Sequence, residues 1–482
     1  MTEIVTVTKL NEAYMQISTS EGVRNEIDSF FSFMAPNAKF HKLVKSGRWD
    51  GRIRLFNRKE NLLYLGLKDD LKKYCARNNY KFVDNTQEND YWISDESFAE
   101  FIAGLNLPFP PYDFQLSAVK QIIQQVRGII LSPTSSGKSL IQYIICMFYI
   151  DKKFLIIVPT INLVGQLATD FREYGYPEQV YQIQAGVDKD VISPRITIST
   201  WQSIKDMPRA WFDQFDAISG DEVHTFNAKS LIGIMTNCVR QDIRIGLSGT
   251  LQEDEGSKIT LRGLFGPIFR TTTTKALMDN KQVADLSIVG IELSYPPDVV
   301  VDFKKKKLDY HGEVDYIIHY EKRQRFICKL AESLPNNKLL LFKKIVHGQA
   351  LFDILKEKDP EHVYLIYGKV DADDRNEIRK IMEANDGVTV VASYRTFATG
   401  TNIKNLQYMI FTENTKSIIT VLQAVGRSLR ISSTKTKATI FDIGDSIVRT
   451  KSKQNYAWSH FVQRIEYYTK EKFKVTIKKF QL

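Results

Sequence analysis

Short, largely apolar runs punctuate the chain from residue 128 onward: GIIL (Gly128–Leu131), FLIIV (Phe154–Val158), RITIS (Arg195–Ser199), FDAIS (Phe215–Ser219) and IRIGL (Ile243–Leu247). The stretches between them are long enough for helices. Runs of this kind suit strands buried on both faces, and strand–helix alternation predicts a parallel sheet covered by helices. The pattern loosens between residues 264 and 337, then resumes as LLLF, VYLIY, VTVVAS, YMIF and ATIFDI, which predicts a second sheet of the same design. Upstream, ISDESFAEFIAGLNLPFPPYDF reads as a helix stopped by Pro108, Pro110 and Pro111, hence a boundary. The expected organisation is a small α+β domain over residues 1–107 and two α/β domains in tandem, over 108–280 and 281–482.

The first apolar run leads into LSPTSSGKSL (Leu131–Leu140) and then into an apolar segment suited to a buried helix. Strand, small-residue loop and helix in that order is the setting of a phosphate-binding loop. Here Ser132, Pro133, Thr134, Ser135, Ser136 and Gly137 would cradle phosphate, and the helix N-terminus adds roughly half a positive charge. Lys138 can reach the β and γ phosphates, while the Ser139 hydroxyl can hold Mg²⁺. Ser132 stands where the common pattern has its first glycine. Taken alone, the stretch also reads as a Ser/Gly turn ahead of a core helix. Just upstream, Gln115 could pair with both polar edges of adenine, with Phe114 or Tyr112 against the ring; it could equally begin an ordinary amphipathic helix.

Ligands of parallel α/β sheets bind at the carboxyl ends of the strands. In this chain those ends carry PTINLVGQL, TWQSI, GDEVH and SGT. Asp221 of GDEVH can hold the Mg²⁺ that Ser139 holds from the other side, and Glu222 can orient and deprotonate the attacking water. Two adjacent acids in a cleft repel unless a cation sits between them. His224 can link the pair to Ser248 of LSGT.

Composition narrows the class. The 482 residues carry formal charge +10, which points to a polyanionic partner. Cys75, Cys146, Cys238 and Cys328 lie far apart with no CxxC pair, against a disulfide framework or zinc site and for a reducing compartment. Neither a signal peptide nor an apolar run of membrane-spanning length is visible, so a cytoplasmic protein with no membrane partner is expected. Charge is uneven. Lys39 to Lys59 places eight Lys/Arg against Asp50, interrupted by Trp49 and flanking glycines. This reads as a basic hairpin turning at SGRWDG, with Lys45, Arg48, Trp49, Arg52 and Arg54 as candidate nucleic-acid contacts; a solvated hairpin around a small core is the plainer alternative. The lysine run 304–307 reads as a solvated loop or a DNA-facing one. The tail from Arg449 holds nine Lys/Arg against two acids among seven aromatic rings, most expected to pack while some lysines meet nucleic acid.

In order and spacing, YDFQ, SPTSSGKS, VPTINLVGQL, ISTWQSI, DEVH, LSGT, TGTN (Thr399–Asn402) and QAVGRSLR (Gln423–Arg430) resemble the motif series of superfamily 2 helicases, DEVH being a variant of the DEAH form. The resemblance covers the chain from about Tyr112, and the GRWDGRIRLF module resembles a small DNA-binding domain. It implies two RecA-like motor domains in tandem that bind and hydrolyse ATP with Mg²⁺. It makes Gln423, Arg427 and Arg430 phosphate-facing residues of the second motor domain, where two arginines three apart would otherwise be an exposed helix face. It assigns nucleic-acid contact to Thr160, Thr200 and Thr399, and coupling to His224, Ser248, Thr250, Gly400 and Asn402. The implied activity is an ATP-dependent DNA helicase or translocase that unwinds or branch-migrates forks, junctions, D-loops and R-loops in recombination, repair and recombination-dependent replication. The implied partners are branched, duplex and single-stranded DNA, with single-strand-binding or recombination proteins as companions and the monomer as the working form. An RNA helicase, the double-stranded-DNA motor of a larger complex, and an ATP-switched clamp are the alternatives.

Overall fold

A computed structural model of the chain describes residues 2–35, 38–87, 92–184, 186–187, 189, 194–226, 228–252, 254–370, 372–394, 396, 405–415, 437–449 and 454–482. The chain divides into two compact units, residues 1–132 with 137–271, and residues 272–482 with the short stretch 133–136.

The N-terminal part contains β1 (Ile4–Lys9), β2 (Tyr14–Ser18), β3 (Ser32–Met34), β4 (Arg52–Arg54), β5 (Leu62–Tyr64) and β6 (Lys81–Asn85), with helices Glu21–Phe30 and Lys68–Arg77. Four strands form a sheet in the order β5-β2-β1-β6, β1 running antiparallel to β2 and parallel to β6. Alternation in β1 sends Val5 and Val7 into a core with Met15, Ile17, Ile27, Leu63 and Leu71. The basic segment departs from the expected hairpin. β4 pairs back onto β3, with Phe33 opposite Ile53, and Lys42–Lys45 is a short helix rather than a strand. Local bonds close that turn without strand pairing: His41 accepts from the Leu43 N–H, and the Arg48 and Trp49 N–H groups both donate to Leu43 O. Lys45 thus lies on a helical turn, while Arg52 and Arg54 lie on a two-stranded ribbon.

The following sheet contains β7 (Arg127–Leu131), β8 (Phe154–Val158), β9 (Tyr181–Ile183), β10 (Ile196–Thr200), β11 (Ala217–Asp221), β12 (Ile243–Ser248) and β13 (Ile268–Arg270), all parallel, in the order β13-β7-β12-β11-β8-β10-β9. Every residue of β7, β8, β10 and β12 is buried, as expected of strands covered by helices on both faces. The five expected strands are present. β9 and β13, three residues each at the two edges, are too short to show as apolar runs.

The second unit repeats the design with β14 (Asp285–Ser294), β15 (Lys338–Phe342), β16 (Val363–Ile366), β17 (Thr389–Ser393), β18 (Tyr408–Phe411), β19 (Lys437–Ser446) and β20 (Lys474–Gln481). They too are parallel, in the order β16-β17-β15-β18-β19-β14-β20. Tandem RecA-like sheets behind a small α+β domain are therefore present. The lysine run is not a loop: Lys304 to Lys306 form the last turn of the helix Pro297–Lys306, where the helix dipole favours cations, and Lys306 bridges Asp302 at 2.9 Å. In the tail Trp458, Phe461, Tyr468 and Phe473 are buried while Tyr456 and Phe480 are exposed. All four cysteines are free and buried, and burial pushes the Cys146 thiol up to about 12. Among the described residues no helix is long and apolar enough to cross a membrane.

Candidate active site

The candidate phosphate-binding loop leaves β7 at Leu131, on the strand between the edge strand β13 and β12. Ser132, the departure from the usual glycine, is fully buried and works as a strut. Its N–H donates to Ser248 O at 3.0 Å, and its hydroxyl accepts from Thr271 Oγ1 at 2.8 Å. The base of the loop is thus held to the strand ends on both sides. Gly137 takes φ +77 to turn the chain into the helix Lys138–Phe148, and a Cβ there would sit 2.4 Å from Gln115 Nε2. The turn requires glycine twice over, for its left-handed backbone and for the glutamine packed against it. Gln115 is itself buried and accepts from the Tyr112 N–H at 2.8 Å, while the Tyr112 and Phe114 rings stack with centroids 5.6 Å apart. Lys138 Nζ curls back to donate to Ser132 O at 3.3 Å, within the loop it would share with a phosphate.

The acidic turn faces the same end of the sheet. Gln142, one turn into the loop's helix, donates to Ser219 Oγ of β11 at 2.7 Å and ties that helix to the strand carrying Asp221. Burial, and next to it the Glu222 charge, raise the Asp221 carboxyl to about 6 against the pull of Lys138. Glu222 itself sits at φ 51, a left-handed conformation that costs a non-glycine residue about 1–3 kcal/mol unless its surroundings hold it. They do so through Ser248 Oγ, 3.4 Å from Glu222 Oε2, and His224 Nδ1, 3.3 Å from the same oxygen and 3.1 Å from Ser248 Oγ. His224 therefore links the acid pair to LSGT, and Ser248 Oγ also reaches Thr250 O at 2.7 Å.

A carboxylate pushed toward protonation by a second carboxylate is a site that a divalent cation would relieve, so the donor chemistry of Asp221 fits Mg²⁺. Ser139, the other expected ligand, here shares a 2.8 Å hydrogen bond with Tyr174 OH. Nothing in the stretch FREYGYP signals that tyrosine; only the packing of the helix Ile161–Glu173 brings it to the loop. Gln142 and Thr271, equally silent in sequence, are likewise part of the frame.

The remaining candidates scatter. Thr160 caps the helix Ile161–Glu173, and its hydroxyl, like that of Thr250, is buried without a hydrogen-bond partner among the described residues. Thr200 is buried and shares a hydrogen bond with Ser203 Oγ at 2.9 Å. On the N-terminal module Trp49 donates to Arg52 O, and Arg54 is paired with Asp50 at 2.5 Å and Asp28 at 3.6 Å. The hydrogen bond from Arg54 draws the Asp50 carboxyl down to about 2. Lys45, Arg48, Arg52 and Arg54 are all exposed, and Arg54 is the most committed of them to ion pairs. Thr399, Gly400, Asn402, Gln423, Arg427 and Arg430 lie outside the described residues.

Three families match along the chain: "DNA helicase UvsW, N-terminal" over residues 5–84, "Type III restriction enzyme, res subunit" over 108–253 and "Helicase conserved C-terminal domain" over 321–432. The ATP-dependent DNA helicase uvsW of Enterobacteria phage T4 is 35% identical over 97% of this chain and 97% of its own length. The DNA 3'-5' translocase XPB2 of Sulfurisphaera tokodaii is 25% identical, covering 76% of this chain and 90% of that one. Among solved structures, T4 UvsW superposes with TM-score 0.53 at 31% identity, covering 99% of each chain. The restriction-modification enzyme LlaBIII bound to DNA superposes with TM-score 0.58 at 16% identity over 84% of this chain and 34% of its own, a likeness of fold.

Proposed function

The chain belongs to the UvsW-type ATP-dependent DNA helicases of superfamily 2, and from that premise we propose that it acts on branched DNA, remodelling forks and junctions as a monomer. The observation that carries the reading is the basic N-terminal module, which matches the UvsW N-terminal family and packs directly on the first motor domain. Glu12 makes that attachment twice, through its N–H to Val239 O at 3.0 Å and its carboxylate to Arg127 at 3.0 Å.

In this reading Lys138 leaves Ser132 O for the β and γ phosphates of ATP, and the backbone of Ser132 to Gly137 wraps the chain of phosphates. Ser139 and Asp221 would hold Mg²⁺, which supplies charge neutralisation on the phosphate oxygens when bound. Glu222, pinned by Ser248 and His224, takes the proton of the attacking water. Gln423, Arg427 and Arg430 meet the charge that develops on the γ-phosphoryl, a contribution worth about 10³–10⁵ in rate in related phosphoryl transfers. ATP then favours whichever arrangement of the two motor domains lets both sets of residues reach it, and hydrolysis removes that bias. The strand-end loops around Thr160, Thr200 and Thr399 grip the backbone, while Gly400 and Asn402 couple that grip to the nucleotide.

The deciding experiment measures ATPase stimulation by forked, four-way, linear duplex and single-stranded DNA beside matched RNAs. Forked or four-way DNA should give the lowest half-maximal concentration. Equal response to linear duplex would refute the branched-DNA reading, and preference for RNA would replace it with an RNA helicase. Joint neutralisation of Arg48, Arg52 and Arg54 should weaken DNA binding and flatten its salt dependence, because each phosphate contact contributes about 0.9 to the logarithmic salt slope. An unchanged slope would make the module structural.

A further inference from the structure

The helix Glu255–Phe265 has neighbours on two sides that lie far apart in sequence. On one flank Leu261, Leu264 and Phe265 share a core cluster with Val223 and Phe226, the residues that carry the acidic turn, and the Phe226 and Phe265 rings meet edge to face at 5.4 Å. On the other flank it meets the N-terminal module. A Cβ on Gly256 would lie 2.1 Å from the Phe33 ring of β3, and one on Gly263 would lie 2.8 Å from the Tyr64 ring of β5. Ile259 packs against the module's core between them. At about 100° per residue, 256, 259 and 263 form one stripe, and 261, 264 and 265 lie on the opposite side.

Glycine is among the poorest helix formers, and two in one helix of 11 residues mark close approach rather than flexibility. The approach is reciprocal: a Cβ on Gly66 would stand 2.2 Å from Arg262 O, and Arg262 bridges Asp70 at 3.0 Å. The start of the helix is fastened just past LSGT. Ser257 donates its hydroxyl to Gln252 Oε1 at 2.8 Å and its N–H to Asp254 at 2.7 Å.

We propose that this helix is the lever between the nucleotide site and the basic ribbon β3–β4, with Gly256 against Phe33 as the positioning contact. Any displacement of the acidic turn reaches the helix through Phe226, and the helix bears on Phe33 with no side chain of its own to absorb the motion. Phe33 stands opposite Ile53, so both lie on the ribbon face toward the helix, and Arg52 and Arg54 lie on the other. The ribbon is thereby aimed by the state of the acidic turn. This deepens the reading that the module contacts DNA and rests on it.

The test uses the full chain, with forked-DNA affinity measured by anisotropy with and without a non-hydrolysable ATP analogue, and ATPase activity titrated with the same DNA. Gly256→Ala should raise the half-maximal DNA concentration by about tenfold, the scale of a small overpacking cost, and abolish the effect of the analogue on affinity. DNA-free ATPase and the salt slope should stay at wild-type values. Phe33→Ala, which opens a gap instead, should produce the same loss of coupling, and the double variant should recover most of it because the added methyl fills the vacated space. Wild-type nucleotide dependence in both single variants would overturn the proposal, as would loss in both singles without recovery in the double. Should Gly256→Ala melt early, Phe33→Ala alone decides. The charge variants at Arg48, Arg52 and Arg54 move the salt slope instead, so failure of the lever and failure of the DNA reading give different signatures.

Discussion

Replacing Arg464 by methionine tests how the second unit is held together around Asp442, Asn414 and Thr415. The guanidinium is almost fully buried and grips Asp442 with two bonds, Nε to Oδ2 at 2.8 Å and Nη2 to Oδ1 at 2.7 Å. It also donates to Thr415 O at 3.0 Å and Asn414 Oδ1 at 3.2 Å. Methionine fills much of the volume but returns no donors, leaving Asp442, itself fully buried, with the Tyr468 hydroxyl at 2.8 Å as its remaining described side-chain donor. Removing one partner of a buried pair costs about 3–5 kcal/mol, mostly from the charge left behind, and no solvent screening reduces it here. For a unit of this size each kcal/mol lowers the midpoint by about 2–4 °C, so a drop of roughly 6–20 °C is expected. Scanning calorimetry of the full chain should show it as a shift in one transition. Arg464→Met with Asp442→Asn should recover about 1–3 kcal/mol, the range of coupling between groups in one network. A single variant melting within about 2 °C of wild type would refute the electrostatic account. Because Asn414 and Thr415 lead directly into the stretch bearing Gln423, Arg427 and Arg430, turnover of the single variant should also fall more than nucleotide affinity.

Two further outcomes follow from the geometry. Glu222→Gln keeps the side chain's shape but removes both the base and the charge that helps raise Asp221; nucleotide binding should persist while kcat falls by about 10²–10⁴, and unchanged turnover in a steady-state ATPase assay would strip Glu222 of its role. His347, buried against Glu413 at 3.0 Å, is held below its ordinary value of 6.5 mainly by burial, so the unfolded chain takes up its proton first and stability should fall as pH drops below about 6.5. Burial is the largest influence on Glu413 and would raise it, but His347 together with the Lys344 and Lys343 N–H groups outweighs it and holds the carboxyl below 4.5, so its own contribution is lost lower, as pH falls through the acid range. Melting curves of His347→Gln from pH 7.5 to 5 should lose the upper slope, and a parallel pH profile in the variant would contradict the assignment.

The strands legible in sequence were mostly those buried along most of their length, because they form largely apolar runs. β14, with exposed Asp285 and Ser294 at its ends and alternating burial between, and β20, almost wholly exposed, carry no such signature, although both complete the second sheet. The basic hairpin was misread for a different reason. β4 takes its partner from residues 32–34, and the intervening chain closes its own turns through His41 and Leu43, which local alternation does not reveal. The loop, the acidic turn and LSGT were legible because each is small, polar or acidic where a strand end would otherwise be apolar. The frame around them was not: Tyr174, Thr271 and Gln142 reach the site from helices and strand ends whose own sequences serve packing.

An acid at a strand end is not by itself a catalytic signal, and this chain supplies the control. β19 reads KATIFDIGDS, with Asp442 and Asp445 as deep in the fold as any carboxylate, yet both are neutralised in place, Asp442 by Arg464 and Asp445 by Arg323 at 2.7 Å, with the Tyr295 hydroxyl also donating to Asp445. Glu12 has Arg127, and Glu413 has a hydrogen bond with His347 rather than a cation. Asp221 differs. Among the described residues its carboxylate accepts the Glu222 N–H, no guanidinium or ammonium bridges it, and the neighbour it is given is a second acid. Where Asp442 and Asp445 each meet a buried guanidinium, Asp221 stands raised, the state that a cation arriving with the nucleotide would relieve under the proposed function. The distinction between DEVH and FDIGDS is invisible in sequence, where both are acids after an apolar run; it lies in which carboxylates the fold has supplied with a cation.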